Sequence, residues 1–196
     1  MKAKYKRILL KISGESLAGD KRHGFSSFAL TATARQIADL NNAGVEVGVV
    51  VGGGNFWRGR EGDEMDRTSA DYMGMLATVI NALALSDALD RQGVDNRVMT
   101  ALAIDKIGEP YNIKTAKRYL KEGKVVVFGG GTGSPFFTTD TGASLRACEI
   151  QAEVLLLAKN IDGIYDSDPK VNPNAKKYDK LTYDEYVGKG LRALDT

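Results

Sequence analysis

Short runs of Val, Ile and Leu alternate along the chain with longer stretches in which apolar residues return every three or four positions. The short runs, at residues 7–12, 45–51, 97–99, 124–128 and 154–158, read as strands. The longer stretches, at 28–43, 68–92, 113–121 and 140–150, read as helices. Ile37, Leu40 and Ala43 mark the apolar face of the helix that Gly44 ends, and Gly93 breaks the long apolar one. Continuous Val/Leu strands separated by helices describe a parallel sheet covered on both faces. With no repeat, low-complexity tract or linker, the expectation is one α/β domain over residues 1–196.

Towards the carboxyl end the pattern becomes more polar. Asp162-Gly163, between Ile161 and Ile164-Tyr165, has the chemistry of a tight hairpin turn. A polar loop follows at 168–173, and Thr182 with Glu185 predicts a capped helix to about Lys189.

The glycines are concentrated after the strands. Lys11-Ile12-Ser13-Gly14, Gly52-Gly53-Gly54-Asn55 and Gly129-Gly130-Gly131-Thr132-Gly133 each follow an apolar run. In an open parallel sheet the carboxyl ends of the strands share one edge, and ligands bind in the crevice there. Glycine lets the main chain approach a phosphate and turn its N–H groups towards it, so three such turns predict an anionic ligand with more than one phosphate. Neither usual nucleotide signature is present: Gly123-Lys124 precedes a strand, and the pattern begun by Gly129 and Gly131 reaches Ser134 where glycine is required.

Composition narrows the classes. At 196 residues the chain can bury about 70% of its unfolded surface, so no disulfide or metal staple is needed. The 43% hydrophobic and 27% charged content is that of a globular protein, and the net charge of +2 leaves no nucleic-acid footprint. The single Cys148 excludes an internal disulfide and a Cys-based zinc site within one chain; the single His23 excludes a His-rich metal site. Ile8-Leu9-Leu10, after the basic start, is too short for a signal peptide or a membrane span, so a cytoplasmic protein with no membrane partner is expected.

Individual residues carry two readings each. Lys11 either reaches into the crevice or snorkels from a sheet edge. Thr138, Thr139 and Asp140 are an ordinary helix cap, or hydroxyls on a phosphate beside a carboxylate that orients Lys11 or a metal-bound water. Arg58 contacts phosphate or is a solvated loop residue, and Asp71 accepts from ribose hydroxyls or favours a helix start. Cys148, Met73, Met75, Phe136 and Phe137 read as packing, and His23 as a solvated loop residue.

At these residues the sequence resembles the bacterial uridylate kinases of the amino-acid-kinase superfamily. The matching stretches are 5–15, 49–55, 71–78, 131–140 and 162–165, in family order across essentially the whole chain, with 132–140 specific to uridylate kinases. The resemblance implies a three-layer α/β/α sandwich with a mainly parallel central sheet. It implies transfer of phosphate from ATP to UMP, giving ADP and UDP in pyrimidine nucleotide synthesis, with Mg²⁺ accompanying ATP and no dedicated metal ligands. Lys11, Ile12, Ser13, Gly14, Gly54, Arg58, Asn160, Tyr165 and Asp168 fall at ATP-contacting positions. Gly53, Asp71, Thr132, Gly133, Ser134, Pro135, Phe136, Phe137, Thr138 and Thr139 fall at UMP-contacting positions. Lys11 and Asp140 are the expected catalytic pair. Family members form homohexamers inhibited by UTP and often activated by GTP. They also continue beyond the point where this sequence stops, so the resemblance implies a C-terminal part of the fold past Thr196.

Two other readings use the same residues: a kinase of this superfamily with a carboxylate or carbamate acceptor, and a non-catalytic nucleotide-binding module. The 132–140 stretch argues against the first. A phosphate acceptor is already ionised at neutral pH, so it needs no general base in a chain with one loop histidine.

Overall fold

A computed structural model describes residues 3–21, 23–57, 65–158 and 161–191. The strands are β1 (Arg7–Ile12), β2 (Glu46–Val51), β3 (Asn96–Thr100), β4 (Glu109–Pro110), β5 (Val125–Gly129), β6 (Val154–Ala158), β7 (Ile164–Tyr165) and β8 (Lys177–Tyr178). The helices are α1 (Gly14–Ala18), α2 (Ser27–Asn42), α3 (Arg67–Asp90), α4 (Ile113–Lys121), α5 (Thr139–Ile150) and α6 (Tyr183–Gly188). Two compact units contain them, residues 1–158 and 159–196.

In the first unit six strands pair in the order β4-β3-β5-β2-β1-β6, and every pairing is parallel. Strand alternation sorts the core into two layers. Ile8, Ile12, Val47, Val49 and Val51 face α2 and α3, against Ile37, Leu85 and Leu89. Leu9, Val50, Val126 and Phe128 face the other way, against Leu120 of α4 and Ala143 and Ile150 of α5. This is the expected three-layer α/β/α sandwich. Gly48 makes the second layer possible: a Cβ there would lie 2.9 Å from Leu9 Cδ1 and 3.0 Å from Ile150 Cδ1. At the amino end of the sheet the Arg7 guanidinium donates to Glu46 and to the last carbonyl of α5, Ile150 O, tying β1, β2 and α5 together.

The helix caps follow the sequence. Asn112 accepts from the Lys114 and Thr115 amides, Thr138 from Thr141, and Asp66 from Ser69. By length and composition α3 could cross a bilayer, but half of its apolar window is buried inside the unit, as in any core helix.

Several expectations are corrected. The periodicity does not register α1, a single turn, or β4, a two-residue edge strand that ends in proline. Asp162-Gly163 is not the turn of a hairpin: β7 pairs antiparallel with β8 across the whole 166–176 loop, and Ile161 belongs to no strand. Cys148 is exposed, because α5 turns Gly142, Ala143, Arg146 and Ile150 inward and residue 148 falls off that face. Phe136 and Phe137 are not core residues either; they are 66% and 60% exposed in the loop that leads to α5, with the Arg67 guanidinium 5.7 Å over the Phe136 ring. Of the two methionines, Met75 is buried and Met73 is not.

In the second unit β7, β8 and α6 form the described structure, and Thr182 with Glu185 makes the expected capping box.

Candidate active site

The carboxyl ends of β1, β2 and β5 are level, because Ile12 pairs with Val51 and Val50 with Phe128. Each strand leaves the sheet through one of the glycine turns, so the three meet at one edge. A Cβ on Gly14 would lie 2.8 Å from the Gly54 nitrogen, and one on Gly52 would lie 3.1 Å from the Gly14 nitrogen. The first two turns are therefore in main-chain contact. The third joins them through α3: the Gly130 amide donates to Thr78 Oγ1 at 2.7 Å, while a Cβ on Gly53 would come within 2.8 Å of the Gly74 carbonyl oxygen. Gly130 and Gly131 hold positive φ values of +81° and +58°, which glycine adopts without strain.

Lys11 sits on β1 between β2 and β6, an inner strand, and its side chain is buried. This excludes the edge-lysine reading. Lys11 Nζ lies 2.9 Å from Asp140 Oδ1, and the side chains are 7% and 8% exposed. Asp140 stands in the first turn of α5, whose dipole favours negative charge at that end. Thr138 is the N-cap of α5, its hydroxyl accepting from the Thr141 amide. A Cβ on Gly142 would meet Gly131 at 3.5 Å, so the first turn of α5 rests on the third glycine turn.

Asp71 does not start its helix; Asp66 caps α3 and Asp71 lies one turn in. Its carboxylate accepts from the Arg67 side chain at 2.9 Å and from the Phe136 amide at 2.8 Å. It thereby fixes the loop through Thr132, Gly133, Ser134 and Pro135, in which Thr132 Oγ1 also accepts from the Ser134 amide. Ser13 caps α1 by accepting from Ser16 N. The Ile12 side chain is buried in the core, and its carbonyl accepts from the Gly52 amide at 2.8 Å. Behind the third turn, the buried Arg146 lies 3.8 Å over the Tyr111 ring and bonds Glu149, which also accepts from Tyr111 Oη at 2.6 Å. Burial, then the bond to Glu149, pushes the Tyr111 phenol well above the usual tyrosine range.

Tyr165 and Asp168 belong to the second unit. Tyr165 Oη donates to Asp162 at 2.7 Å, and Lys177 lies 3.0 Å from the same carboxylate. These partners, Tyr165 first, hold Asp162 below the usual carboxylate range. Asp168 accepts from the Lys170 amide at 2.9 Å. Arg58 and Asn160 lie outside the described residues.

Sequence reasoning missed Asn55, Thr78 and Asn81. Asn55 and Asn81 are buried and exchange side-chain amide bonds, at 3.0 and 2.6 Å, and Asn81 also donates to Gly52 O. For Thr78 and Asn81 a signal was available, polar side chains three apart in the long apolar helix; Asn55, in the turn after β2, carried none.

Among the described residues no cluster of three acidic, His or Cys side chains could hold a metal by itself. A single buried carboxylate, Asp140, fits a magnesium ion carried in on substrate phosphates, which needs only one or two protein carboxylates.

The amino acid kinase family model matches residues 6–195. The UMP kinase from Bacillus anthracis is 40% identical, with a TM-score of 0.94 over 97% of this chain and 80% of that one. The UMP kinase from Ureaplasma parvum is 38% identical, with a TM-score of 0.92 over 98% and 83%. The uridylate kinase from Archaeoglobus fulgidus is 32% identical, with a TM-score of 0.68 over 92% and 76%. With that match and solved relatives aligned over 97–98% of this chain, the chain belongs to the amino acid kinase family and, within it, groups with the UMP kinases.

Proposed function

We propose that this chain transfers the γ-phosphoryl group of ATP to UMP, giving ADP and UDP. The observation that carries the reading is the meeting of three glycine turns at one sheet edge, with the Lys11–Asp140 pair beneath them. Phosphoryl transfer asks a protein mainly to hold donor and acceptor in line and to neutralise charge on the transferred group.

In the proposed mechanism the turns at 12–14 and 54 hold ATP; Arg58, Asn160, Tyr165 and Asp168 are assigned to ATP by the family resemblance alone. Gly53, Asp71 and the run 132–139 hold UMP. Main-chain N–H groups donate to the phosphate oxygens, and Lys11 neutralises the γ-phosphoryl charge as the bond to the β-phosphate breaks. Asp140 keeps the ammonium aimed. UMP attacks through a phosphate oxygen that is already ionised, so no residue removes a proton. Magnesium bound with ATP supplies further charge neutralisation, and Asp140 is the carboxylate that would hold it.

The proposal extends to a cytoplasmic homohexamer with UTP as inhibitor and GTP as activator. Self-association is supported by α3, which leaves Met73, Leu76, Ile80 and Leu83 outward in one exposed stripe.

A coupled ADP assay offering UMP, CMP, dUMP and acetylglutamate in turn tests the reading. UMP should give the highest kcat/KM. Turnover of acetylglutamate in preference would replace it with the carboxylate-acceptor reading, and nucleotide binding by calorimetry without ADP would replace it with a binding module.

A further inference from the structure

The inner face of α3 touches two of the three glycine turns through side chains that the mechanism does not use. Thr78 and Asn81 are three apart and so share a face of the helix. Both are buried, at 4% and 0% exposed. Thr78 Oγ1 donates to Met75 O at 2.6 Å and accepts from the Gly130 amide at 2.7 Å. The first bond fixes the hydroxyl rotor, leaving a lone pair for Gly130. One helical turn on, Asn81 Nδ2 donates to Gly52 O at 2.5 Å and to Asn55 Oδ1 at 2.6 Å, while its own Oδ1 accepts from Asn55 Nδ2. Asn55 in turn bonds Gly24 O at 2.8 Å.

From this geometry we infer that Thr78 and Asn81 are positioning residues, a two-point clamp by which α3 sets the spacing between the second and third glycine turns. Helix α3 is rigid and 24 residues long, whereas the turns are glycine-rich and have little stiffness of their own. Thr78 holds the third turn by its amide and Asn81 holds the second by a carbonyl. The gap between the turns, which the transferred phosphoryl group must cross, is then fixed by helix geometry rather than by either loop. The inference rests on the proposed reading that these turns hold substrate phosphates.

The test uses the full chain and compares Thr78→Val, which keeps the shape and removes the hydroxyl, with Thr78→Ser, which keeps the hydroxyl. Two readouts are taken: steady-state kinetics with ATP and UMP, and hydrogen exchange of the Gly130 amide. Thr78→Val should raise KM for UMP at least about tenfold with KM for ATP within about twofold, because the displaced loop is on the acceptor side. The Gly130 amide should exchange at least about tenfold faster, and Thr78→Ser should restore both. Asn81→Ala should lower kcat by a similar factor through the second turn. If Thr78→Val does not fold, the comparison of Thr78→Ala with Thr78→Ser carries the same expectation. Unchanged UMP KM and unchanged Gly130 exchange in the hydroxyl-free variant would overturn the clamp, as would failure of serine to restore them. If the unmodified chain does not phosphorylate UMP, the functional reading falls, and Gly130 exchange still decides the clamp.

Discussion

Lys11 and Asp140 are 129 positions apart in sequence and form an ion pair of 2.9 Å in which both side chains are buried. A pair taken out of water in this way seldom adds much stability, but removing one partner of a buried pair costs about 3–5 kcal/mol. Stability and catalysis therefore separate here. Lys11→Met should lower Tm and cut kcat by about 10²-fold or more, the usual effect of deleting one donor to the developing charge. Adding Asp140→Asn should recover much of the Tm and none of the turnover. Thermal melts beside the coupled ADP assay make the comparison, and near-wild-type turnover in Lys11→Met would end the catalytic assignment.

Gly53 tests the role of close packing at the second turn. A Cβ there would lie 2.8 Å from the Gly74 carbonyl oxygen and 3.0 Å from Ala77 Cβ, and a helix backbone cannot yield as a side chain can. The turn has to lift off α3 instead. Gly53→Ala should lower kcat/KM by about 10²-fold, since a displacement near 1 Å is enough for that. Gly188→Ala meets no atom within 4 Å and serves as the control. Equal activity in the two variants would show that the seating of this turn does not matter.

Much of this is legible in the sequence, and the parts that are not have a common cause. The six-residue run at β2 is buried at every position, so its hydrophobicity alone marks an inner parallel strand. Lys11 announced itself as a charge at the end of such a strand. Elements of one turn or two residues, α1 and β4, lie below the length at which periodicity carries information. Cys148 is exposed because α5 turns Arg146 onto its inner face instead, where the guanidinium lies over the ring of Tyr111 from outside the helix and bonds Glu149 three residues along it. Thr78 meets Gly130 across 52 positions and Asn81 meets Gly52 across 29; such pairings are made by the fold and leave no spacing to read.

The outward stripe on α3 is where the proposed self-association would be seated. Leu76 and Ile80 are 47% and 46% exposed, one turn apart, on a helix whose opposite face carries the clamp. Monomers seldom leave a contiguous apolar surface of this kind in water. The double variant Leu76→Glu with Ile80→Glu should shift the chain to smaller species in light scattering, with the circular dichroism of the folded state retained. An unchanged mass would place the subunit contacts elsewhere or show that there are none.

Tyr111 makes stability depend on pH from the alkaline side. Its phenol is held protonated above its ordinary value of 10.0, chiefly by burial and by the bond to Glu149. Above pH 10 the unfolded chain releases this proton while the folded chain keeps it, so the folded state binds more protons and stability falls as pH rises. The contribution is fully present below pH 10 and is lost through the window above it. Tyr111→Phe removes the linkage. It should lower stability at neutral pH, through the loss of the bond to Glu149, and flatten the decline above pH 10 in denaturant titrations. The alkaline absorbance step of the folded protein near pH 10 should be unchanged by the substitution, because Tyr111 does not titrate there. A smaller step in Tyr111→Phe, or an equally steep loss of stability, would mean that this phenol ionises like an exposed one.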